Sequence, residues 1–447
     1  MTFGLRNALL SIRFGYLACL AVLLTLLHLS TSSRFDHNDF MYAIAPLRSG
    51  VLYTEVHYVQ APLGYYWPKL INQAVPAHDW YFALRELSVL FSAGALLLLA
   101  NVYLQSRANK LLFLALSCTD AYLIACALEV GSYSQPLFLL AAGIYLLKSV
   151  GNSKISMLVA GLSLGLAASY KINYILFAPA LAFIALGKVE RGDIARPLLR
   201  LFAGFLTGFM PTLYFLLTQP DAFILHNVSF HAELTKAYRV MTGDAASNGL
   251  VTGFAEFWGL RNLSLFAALT FGVMSVRRSW RRQDTELLCL MSCAALSILG
   301  TGYGFKQYFA PLAVLLCLWV AAQAPIGTDV IRRPLRALAS PLLLACLFAT
   351  LMNLRQALPD MRATVRRGPV SQEISRINAL VTQALSARHL ANIDIFTFSG
   401  LFVHEAPFAK LACADAGIFW ARLNRLPAKK LPLGKVTSTA RSTQKQD

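Results

Sequence analysis

Charged residues are scarce in this chain. Asp, Glu, Lys and Arg make up 14% of its 447 residues, whereas hydrophobic residues make up 57%. Soluble domains carry about 25% charged residues, so this composition excludes an ordinary soluble protein and indicates a lipid bilayer as solvent. Acidic residues are the scarcer kind, with 22 Asp and Glu against 40 Lys and Arg. The basic residues separate apolar runs instead of forming one patch, which indicates membrane orientation and argues against nucleic-acid binding.

Several common functional motifs are also missing. The sequence has no P-loop, no dinucleotide-binding glycine pattern and no zinc-ligand spacing. Of its eight cysteines, all but Cys413 lie in apolar segments, so we expect no disulfide. Cys289 and Cys293 are one helical turn apart, which favours packing over metal binding.

Long apolar runs fill most of the chain. Because a spanning helix needs about 20 apolar residues, the sequence predicts about eleven transmembrane helices. They are expected near 14–30, 83–104, 111–128, 136–150, 155–170, 173–187, 198–218, 256–275, 286–301, 308–323 and 338–353. The first run follows two arginines like a signal peptide, but no small-residue cleavage site follows it, so we interpret it as a retained helix.

The distribution of Lys and Arg predicts a topology. With a cytoplasmic N-terminus, nearly every short basic cluster falls on the cytoplasmic side, as the positive-inside rule requires. The opposite, periplasmic side then receives the loop at 31–82, a loop at 219–255 and the tail from about 355. Polar residues are therefore expected to gather on one membrane face.

Three regions follow from this reading. Residues 1–354 form a transmembrane module, 355–430 a small periplasmic domain with α/β-like character, and 431–447 a disordered basic tail. In the second region "IDIFTFSG" alternates like a strand and ends at a turn glycine.

The loop at 31–82 concentrates ionisable groups in an otherwise apolar chain. It contains Asp36, His37, Asp39, Glu55 and His57, together with Gln60. The pattern predicts two short amphipathic helices at the membrane surface, one over about 36–48 and one over about 62–74. Pro62 suits the first turn of the second helix, and Pro68 is expected to kink it.

The order of residues in this loop resembles the first external loop of the GT-C superfamily of membrane glycosyltransferases. The closest resemblance is to the bacterial branch that includes protein O-mannosyltransferases and aminoarabinose transferases. The matching positions are Asp36, "FMYAIA", Gly50, Tyr53-Thr54-Glu55 and "APLGYY". The resemblance covers roughly 10–350, and the loop is its specific part. The chain departs from the family pattern in having His37 after Asp36, with the next acid at Asp39.

The resemblance implies an all-α polytopic GT-C-type bundle in a bacterial inner membrane with its active site on the periplasmic face. Members transfer a sugar from a polyprenyl phosphate to an acceptor hydroxyl on a lipid, glycan or protein. Asp36 or Asp39 would be the general base, with the spacing of Asp36 to Gly50 fitting better, and Glu55 would assist. Direct attack by the acceptor would invert the anomeric centre. The resemblance does not decide whether a divalent metal is required, and it implies no other cofactor.

Other polar positions are candidates for donor binding. Lys171 lies at a predicted external turn, and Lys306, Gln307 and Tyr308 precede a predicted helix containing Pro311. A lysine at either place can meet a lipid phosphate or extend to the headgroups. The substrate-binding candidates outside the acids are His57, Gln60, Arg85, Lys171, Lys306, Gln307 and Tyr308.

Some of these polar residues could have a structural role instead. Asp36 and Asp39 can cap a surface helix, and Arg85 can pair with neighbouring Glu86. Asp120 is predicted inside the third helix, bonded to Thr119 or to a facing helix. Gly161 and Gly165 form a GxxxG pattern that predicts close helix packing.

Two other functions stay open. The first is a transporter or flippase, which requires broken helices and polar groups near the midplane. The second is a catalytically inactive family member that serves as a scaffold, because the acids of the first loop are spaced differently from the family pattern. The identities of the sugar and acceptor do not follow from the sequence.

Overall fold

A computed structural model describes most of the predicted membrane region. The described residues are 2–32, 50–54, 56, 58–75, 80–128, 130, 133–149, 154–187, 194–230, 281–301, 306–323 and short pieces beyond 350. Asp36, His37, Asp39, Glu55 and His57 lie outside them, as do the predicted helices at 36–48 and 256–275 and most of 338–353.

The described chain is mostly helical. Its elements are α1 (Thr2–Ser32), α2 (Pro62–Ala74), α3 (Trp80–Tyr103), α4 (Arg107–Cys118), α5 (Ala121–Leu128), α6 (Ser134–Ser149), α7 (Lys154–Tyr170), a 3-10 helix (Ile172–Phe177), α8 (Ala178–Leu186), α9 (Ala195–Thr218), α10 (Pro220–Ile224), a π-helical turn (Leu225–Ser229), α11 (Arg282–Thr301), a second 3-10 helix (Lys306–Phe309) and α12 (Ala310–Gln323). Farther on, β1 (Ile393–Asp394) pairs in parallel with β2 (Ala409–Lys410).

Length and composition support a membrane protein. Among the described helices, two are long and apolar enough to cross a bilayer, Ala83–Tyr103 and Ala195–Thr218. A third arises if α4 and α5 are counted as one broken span. The other apolar helices are shorter, for example Lys154–Tyr170 and Ala310–Gln323. The count of eleven spans therefore stays a prediction.

The third predicted span is wrong as a single helix. The chain bends by 67° between α4 and α5, and Asp120 lies at the break instead of inside a helix. Its Oδ1 accepts from the backbone N–H of Tyr122 at 2.9 Å and of Leu123 at 3.0 Å. Thr119 donates to the carbonyls of Ala115 and Leu116, not to Asp120. The carboxylate thus caps α5, which no hydropathy profile detects.

The second predicted surface helix is confirmed. Helix α2 runs over Pro62–Ala74, with Pro62 in its first turn and Pro68 inside it. The ring of Trp67 lies 6.1 Å from that of Phe91 in α3, measured between centroids. This ring contact packs α2 against the middle of α3.

Helices α7 and α9 form the closest pair in the bundle. Four glycines line their contact, namely Gly161 and Gly165 in α7 and Gly204 and Gly208 in α9. A Cβ added at Gly165 would lie 2.2 Å from the carbonyl oxygen of Phe205. The backbones therefore touch, as the GxxxG pattern predicts.

Candidate functional site

Lys171 lies at a break between helices at one end of the bundle. Helix α7 ends at Tyr170, and Lys171 has extended backbone before the 3-10 helix begins. Its N–H donates to the carbonyl of Ala167, and its own carbonyl accepts from the N–H of Tyr174, each at 3.0 Å. The residue is 7% exposed. These hydrogen bonds hold its backbone, so the side chain projects from a fixed point.

Two tyrosine rings surround the Lys171 ammonium. Its Nζ lies 3.1 Å from the ring centroid of Tyr133 and 4.0 Å from that of Tyr308. The two rings meet edge to face with centroids 5.5 Å apart. Aromatic faces attract a cation strongly once water is excluded. The arrangement therefore keeps a positive charge at a buried position, where it can bind an anionic group.

Tyr308 belongs to the segment before α12 in which the sequence predicted substrate-binding residues. It lies in the 3-10 helix Lys306–Phe309 that precedes α12, and it is 9% exposed. Lys306 and Gln307 share this turn, although the structure describes only their backbone. Two of the predicted phosphate-binding residues, Lys171 and Tyr308, are thus in contact despite their separation in sequence.

The first loop packs at the same end as Lys171. Its described part forms an apolar cluster with α2 and the end of α9, composed of Leu52, Tyr53, Val56, Tyr58, Tyr65, Phe215 and Phe223. Ile172, the neighbour of Lys171, packs against this cluster. We call this end of the bundle the loop end. Asp36 and Asp39 lie in the sequence between α1 and Gly50, outside the described residues.

Tyr53 anchors the loop with an unusual backbone conformation. Its φ is 72°, in the left-handed region that aromatic residues rarely adopt. The side chain is 3% exposed, and its hydroxyl donates to the carbonyl of Gln60 at 2.6 Å. Strain of this kind persists only where surrounding contacts compensate it, and it is frequent at functional sites. The contacts of Tyr53 thus hold the described part of the loop in place.

Rings from the following helices enclose Tyr53. Its ring centroid lies 5.3 Å from that of Phe215, 5.5 Å from Phe223 and 5.6 Å from His226. Burial raises the pKa of the Tyr53 hydroxyl, and a hydrogen bond with Asn227 opposes the shift. Burial lowers the pKa of His226, whose Nδ1 lies 2.8 Å from the carbonyl of Ala222. Both groups are thus neutral at neutral pH.

Two further predicted residues have structural partners. Arg85 is 6% exposed and donates to the backbone carbonyl of Thr31 at the end of α1. Glu86 pairs with His28 at 3.0 Å, where the sequence suggested Arg85 as its partner. Gln60 is 5% exposed, its carbonyl accepts from Tyr53, and its Oε1 has no hydrogen-bond partner. Gln60 therefore holds the loop and also keeps a free acceptor.

The sequence reading missed Tyr133 and Gln135, which lie at the start of α6. Tyr133 forms part of the aromatic surround of Lys171. Gln135 is 1% exposed, and neither atom of its amide has a hydrogen-bond partner. Asn173 donates to Ser297 Oγ at 2.7 Å, while its Oδ1 has no partner. The polar letters "SYSQ" before an apolar run were the available signal, but they equally fit an interface anchor.

The site thus combines a held cation, aromatic rings and unsatisfied amides at the loop end. Within the described ranges, no three His, Cys, Asp or Glu side chains come together as a metal site. The four ionisable loop candidates, Asp36, Asp39, Glu55 and His57, are outside those ranges, so the question of a divalent metal rests on them. No protein-family model, no curated protein and no solved structure matches the chain.

Proposed function

We propose that this protein is a membrane glycosyltransferase of the GT-C type, which moves a sugar from a polyprenyl phosphate to an acceptor hydroxyl. The contact between Lys171 and Tyr308 at the loop end carries the proposal. The sequence predicted each as a substrate-binding candidate in a separate segment, and Nζ of Lys171 lies 4.0 Å from the ring centroid of Tyr308. A buried cation beside a hydroxyl-bearing ring suits a departing phosphate.

The proposed reaction uses the acids of the first loop. Asp36 or Asp39 takes the proton of the acceptor hydroxyl as its oxygen forms a bond to the anomeric carbon. The bond between that carbon and the phosphate oxygen breaks, and its electron pair leaves with the polyprenyl phosphate. Lys171 stabilises the charge that develops on the phosphate, and Lys306 and Gln307, which share the 3-10 turn of Tyr308, would assist. Direct displacement inverts the anomeric centre.

The proposed setting is the periplasmic face of a bacterial inner membrane. Apolar helices support a membrane protein, and the described polar candidates, such as Lys171 and Tyr308, lie at one end of the bundle. Ile172 connects the turn of Lys171 to the cluster of the first loop. Donor, acceptor and base would meet at this end, with Glu55 orienting the acceptor.

Purified protein assayed with lipid-linked sugars tests the proposal. We expect Asp36→Asn or Asp39→Asn to lower transfer by about 10²–10⁴-fold, because removing a general base removes that contribution. Lys171→Gln is expected to lower it roughly a hundredfold. Lys154→Gln is the matched control, because Lys154 is exposed at the start of α7, the helix that ends just before Lys171. Full activity in both Asp variants, or equal effects of the two Lys variants, would contradict the assignment.

A transporter or flippase is the second candidate, and the break at Asp120 favours it. The carboxylate is 1% exposed, and its Oδ2 has no hydrogen-bond partner. Broken helices with intramembrane acids are typical of transporters. Proteoliposomes loaded with a polyprenyl-phosphate sugar separate the two functions. Movement of the lipid across the bilayer without sugar transfer would support the transporter.

A further inference from the structure

Gln135 stands out among the polar side chains of the loop end. It lies in the first turn of α6, and both its amide oxygen and its amide nitrogen are buried without a hydrogen-bond partner. The adjacent Ser134 is fully satisfied, since its hydroxyl donates to the carbonyl of Cys126 at 3.0 Å and accepts from Ser92 at 2.9 Å. The neighbouring hydroxyl is therefore paired, whereas this amide is left open.

A buried amide without partners destabilises a protein, because it loses its hydrogen bonds to water and gains none. Such a group persists where a ligand or an ordered water completes it. Gln135 follows Tyr133 by two residues, and the Tyr133 ring carries the Lys171 ammonium at 3.1 Å. The open amide thus lies close along the chain to the cation that the proposed function assigns to a phosphate.

We propose that Gln135 binds hydroxyl groups of the sugar whose phosphate is held at Lys171, and so determines which lipid-linked donor is accepted. This inference rests on the proposed function. The unpartnered Oδ1 of Asn173, two residues after Lys171, supplies a further acceptor for the same sugar.

The chemistry of the amide selects this ligand class. A glutamine side chain donates through Nε2 and accepts through Oε1. Sugar hydroxyls both donate and accept, so neighbouring hydroxyls satisfy both atoms at once. An ionised phosphate offers acceptors alone, and a polyprenyl tail offers neither. Among the parts of the donor, the group that suits Gln135 is therefore the sugar and not the lipid carrier.

Binding to the full-length protein in nanodiscs tests the inference with three probes. They are polyprenyl phosphate, polyprenyl-phosphate mannose and polyprenyl-phosphate arabinose. The wild type is expected to bind at least one sugar-bearing lipid about tenfold more tightly than polyprenyl phosphate. Gln135→Leu is expected to remove this preference and to keep the affinity for polyprenyl phosphate. Lys171→Gln is expected to weaken the binding of every probe that the wild type binds.

Gln283→Leu is the matched control. Gln283 lies in α11, and its amide donates to the carbonyl of Tyr103 at 2.9 Å. Removing it leaves that carbonyl without its donor, so the melting temperature should fall while the preference for sugar stays. Gln135→Leu should instead melt at the wild-type temperature or above it, because an apolar side chain removes the unsatisfied amide. A lower melting temperature for Gln135→Leu would mark a purely structural residue and overturn the inference.

The outcomes separate the two proposals. If the wild type binds none of the probes, the proposed function fails, and this inference fails with it. If it binds them without preferring a sugar, or if Gln135→Leu keeps the preference, the role of Gln135 is wrong while the proposed function stands.

Discussion

Single residues at the loop end show how burial changes the role of a polar group. A lysine near a membrane surface usually extends its ammonium to the headgroups. Lys171 does not, because it is 7% exposed and its Nζ lies against the rings of Tyr133 and Tyr308. The rings compensate part of the desolvation of the charge, and an anionic ligand would compensate more. Burial therefore favours a binding role for Lys171 over an anchoring role.

The sequence predicted only some of the residues that form the Lys171 site. Lys171 and Tyr308 were found because they interrupt apolar runs at predicted helix ends. Tyr133 was not, because a tyrosine near a helix start looks the same whether it anchors in lipid or faces a cation. The left-handed backbone of Tyr53 was also hidden, since φ is set there by tertiary contacts with Phe215 and Phe223.

His226 gives a pH prediction at the residue scale. It lies beyond the end of α9, and burial lowers its pKa from the usual value near 6.5. Between the lowered pKa and 6.5 the unfolded chain binds a proton at this position and the folded protein does not. Stability is therefore complete above 6.5 and falls as the pH decreases through this interval. We expect the wild-type melting temperature to drop between about pH 7.5 and about pH 5, and His226→Asn to drop less.

A second histidine provides the control for this measurement. His28 is 44% exposed and pairs with Glu86 at 3.0 Å. His28→Asn should leave the pH-dependent contribution of His226 in place. If the melting temperature of His226→Asn falls with acidification as much as that of the wild type, the buried neutral imidazole does not contribute to the fall.

At the scale of elements, glycines determine how α7 and α9 pack. In each case an added Cβ would meet backbone of the facing helix, at 2.0 Å for Gly161 and Gly204 and at 2.2 and 2.3 Å for Gly165 and Gly208. The close approach lets Ser169 donate to the carbonyl of Gly208 at 3.1 Å, while Thr212 donates to Ser169 at 3.0 Å. Small residues and hydroxyl hydrogen bonds are the means by which helices associate in lipid.

This contact predicts the sign of an alanine substitution. Helix propensity alone favours Ala over Gly by about 1 kcal/mol. At Gly165 the new Cβ would lie 2.2 Å from a backbone oxygen, so α9 would have to move away. We expect Gly165→Ala to destabilise the protein by about 1–3 kcal/mol despite the propensity gain, measured by thermal unfolding in detergent.

Gly143 supplies the comparison. It lies in α6 and faces α7, where an added Cβ would lie 3.3 Å from the carbonyl oxygen of Ala160, so the neighbour needs to shift by only a few tenths of an ångström. Gly143→Ala should therefore have little effect or stabilise. Equal losses of stability at positions 143 and 165 would show that backbone contact does not decide the outcome.

The elements themselves were largely predictable from the sequence. Pro62 and an amphipathic pattern predicted α2 over about 62–74, and an apolar run predicted α9 over 198–218. The break between α4 and α5 was not predictable, because hydropathy is continuous across it apart from Asp120. A carboxylate that caps a helix inside the bundle satisfies two N–H groups, and this local hydrogen bonding overrides the apolar pattern.

At the scale of the molecule, a polar network closes the end of the bundle opposite the loop end. Lys148 pairs with Glu286, which also pairs with Arg282 at 3.3 Å. Arg282 donates to the carbonyl of Gly187 at 2.7 Å, so the ends of α6 and α8 meet the start of α11. The two ends differ in kind. One is held by ion pairs, and the other has a cation among rings and open amides, as expected if ligands bind at only one of them.

The C-terminal region also reaches the loop end. Thr364, in a short helix over 361–366, donates to the carbonyl of Leu29 near the end of α1 at 3.3 Å. The predicted topology placed the tail and the first loop on the same side, and this contact agrees with that arrangement. Which of the two ends faces the periplasm is predicted by the distribution of Lys and Arg.

Labelling with a membrane-impermeant thiol reagent tests that assignment. Thr54 is exposed in the first loop, and the Arg281 side chain is 62% exposed at the opposite end. We expect Thr54→Cys to react in intact spheroplasts and Arg281→Cys to react only after lysis, because the loop end is predicted to face the periplasm. The wild type gives the background from native cysteines. The reverse labelling would place Lys171 and the loop acids in the cytoplasm, on the side where short basic loops belong. A periplasmic acceptor could not then reach the site, and the proposed reaction would have to be abandoned along with the topology.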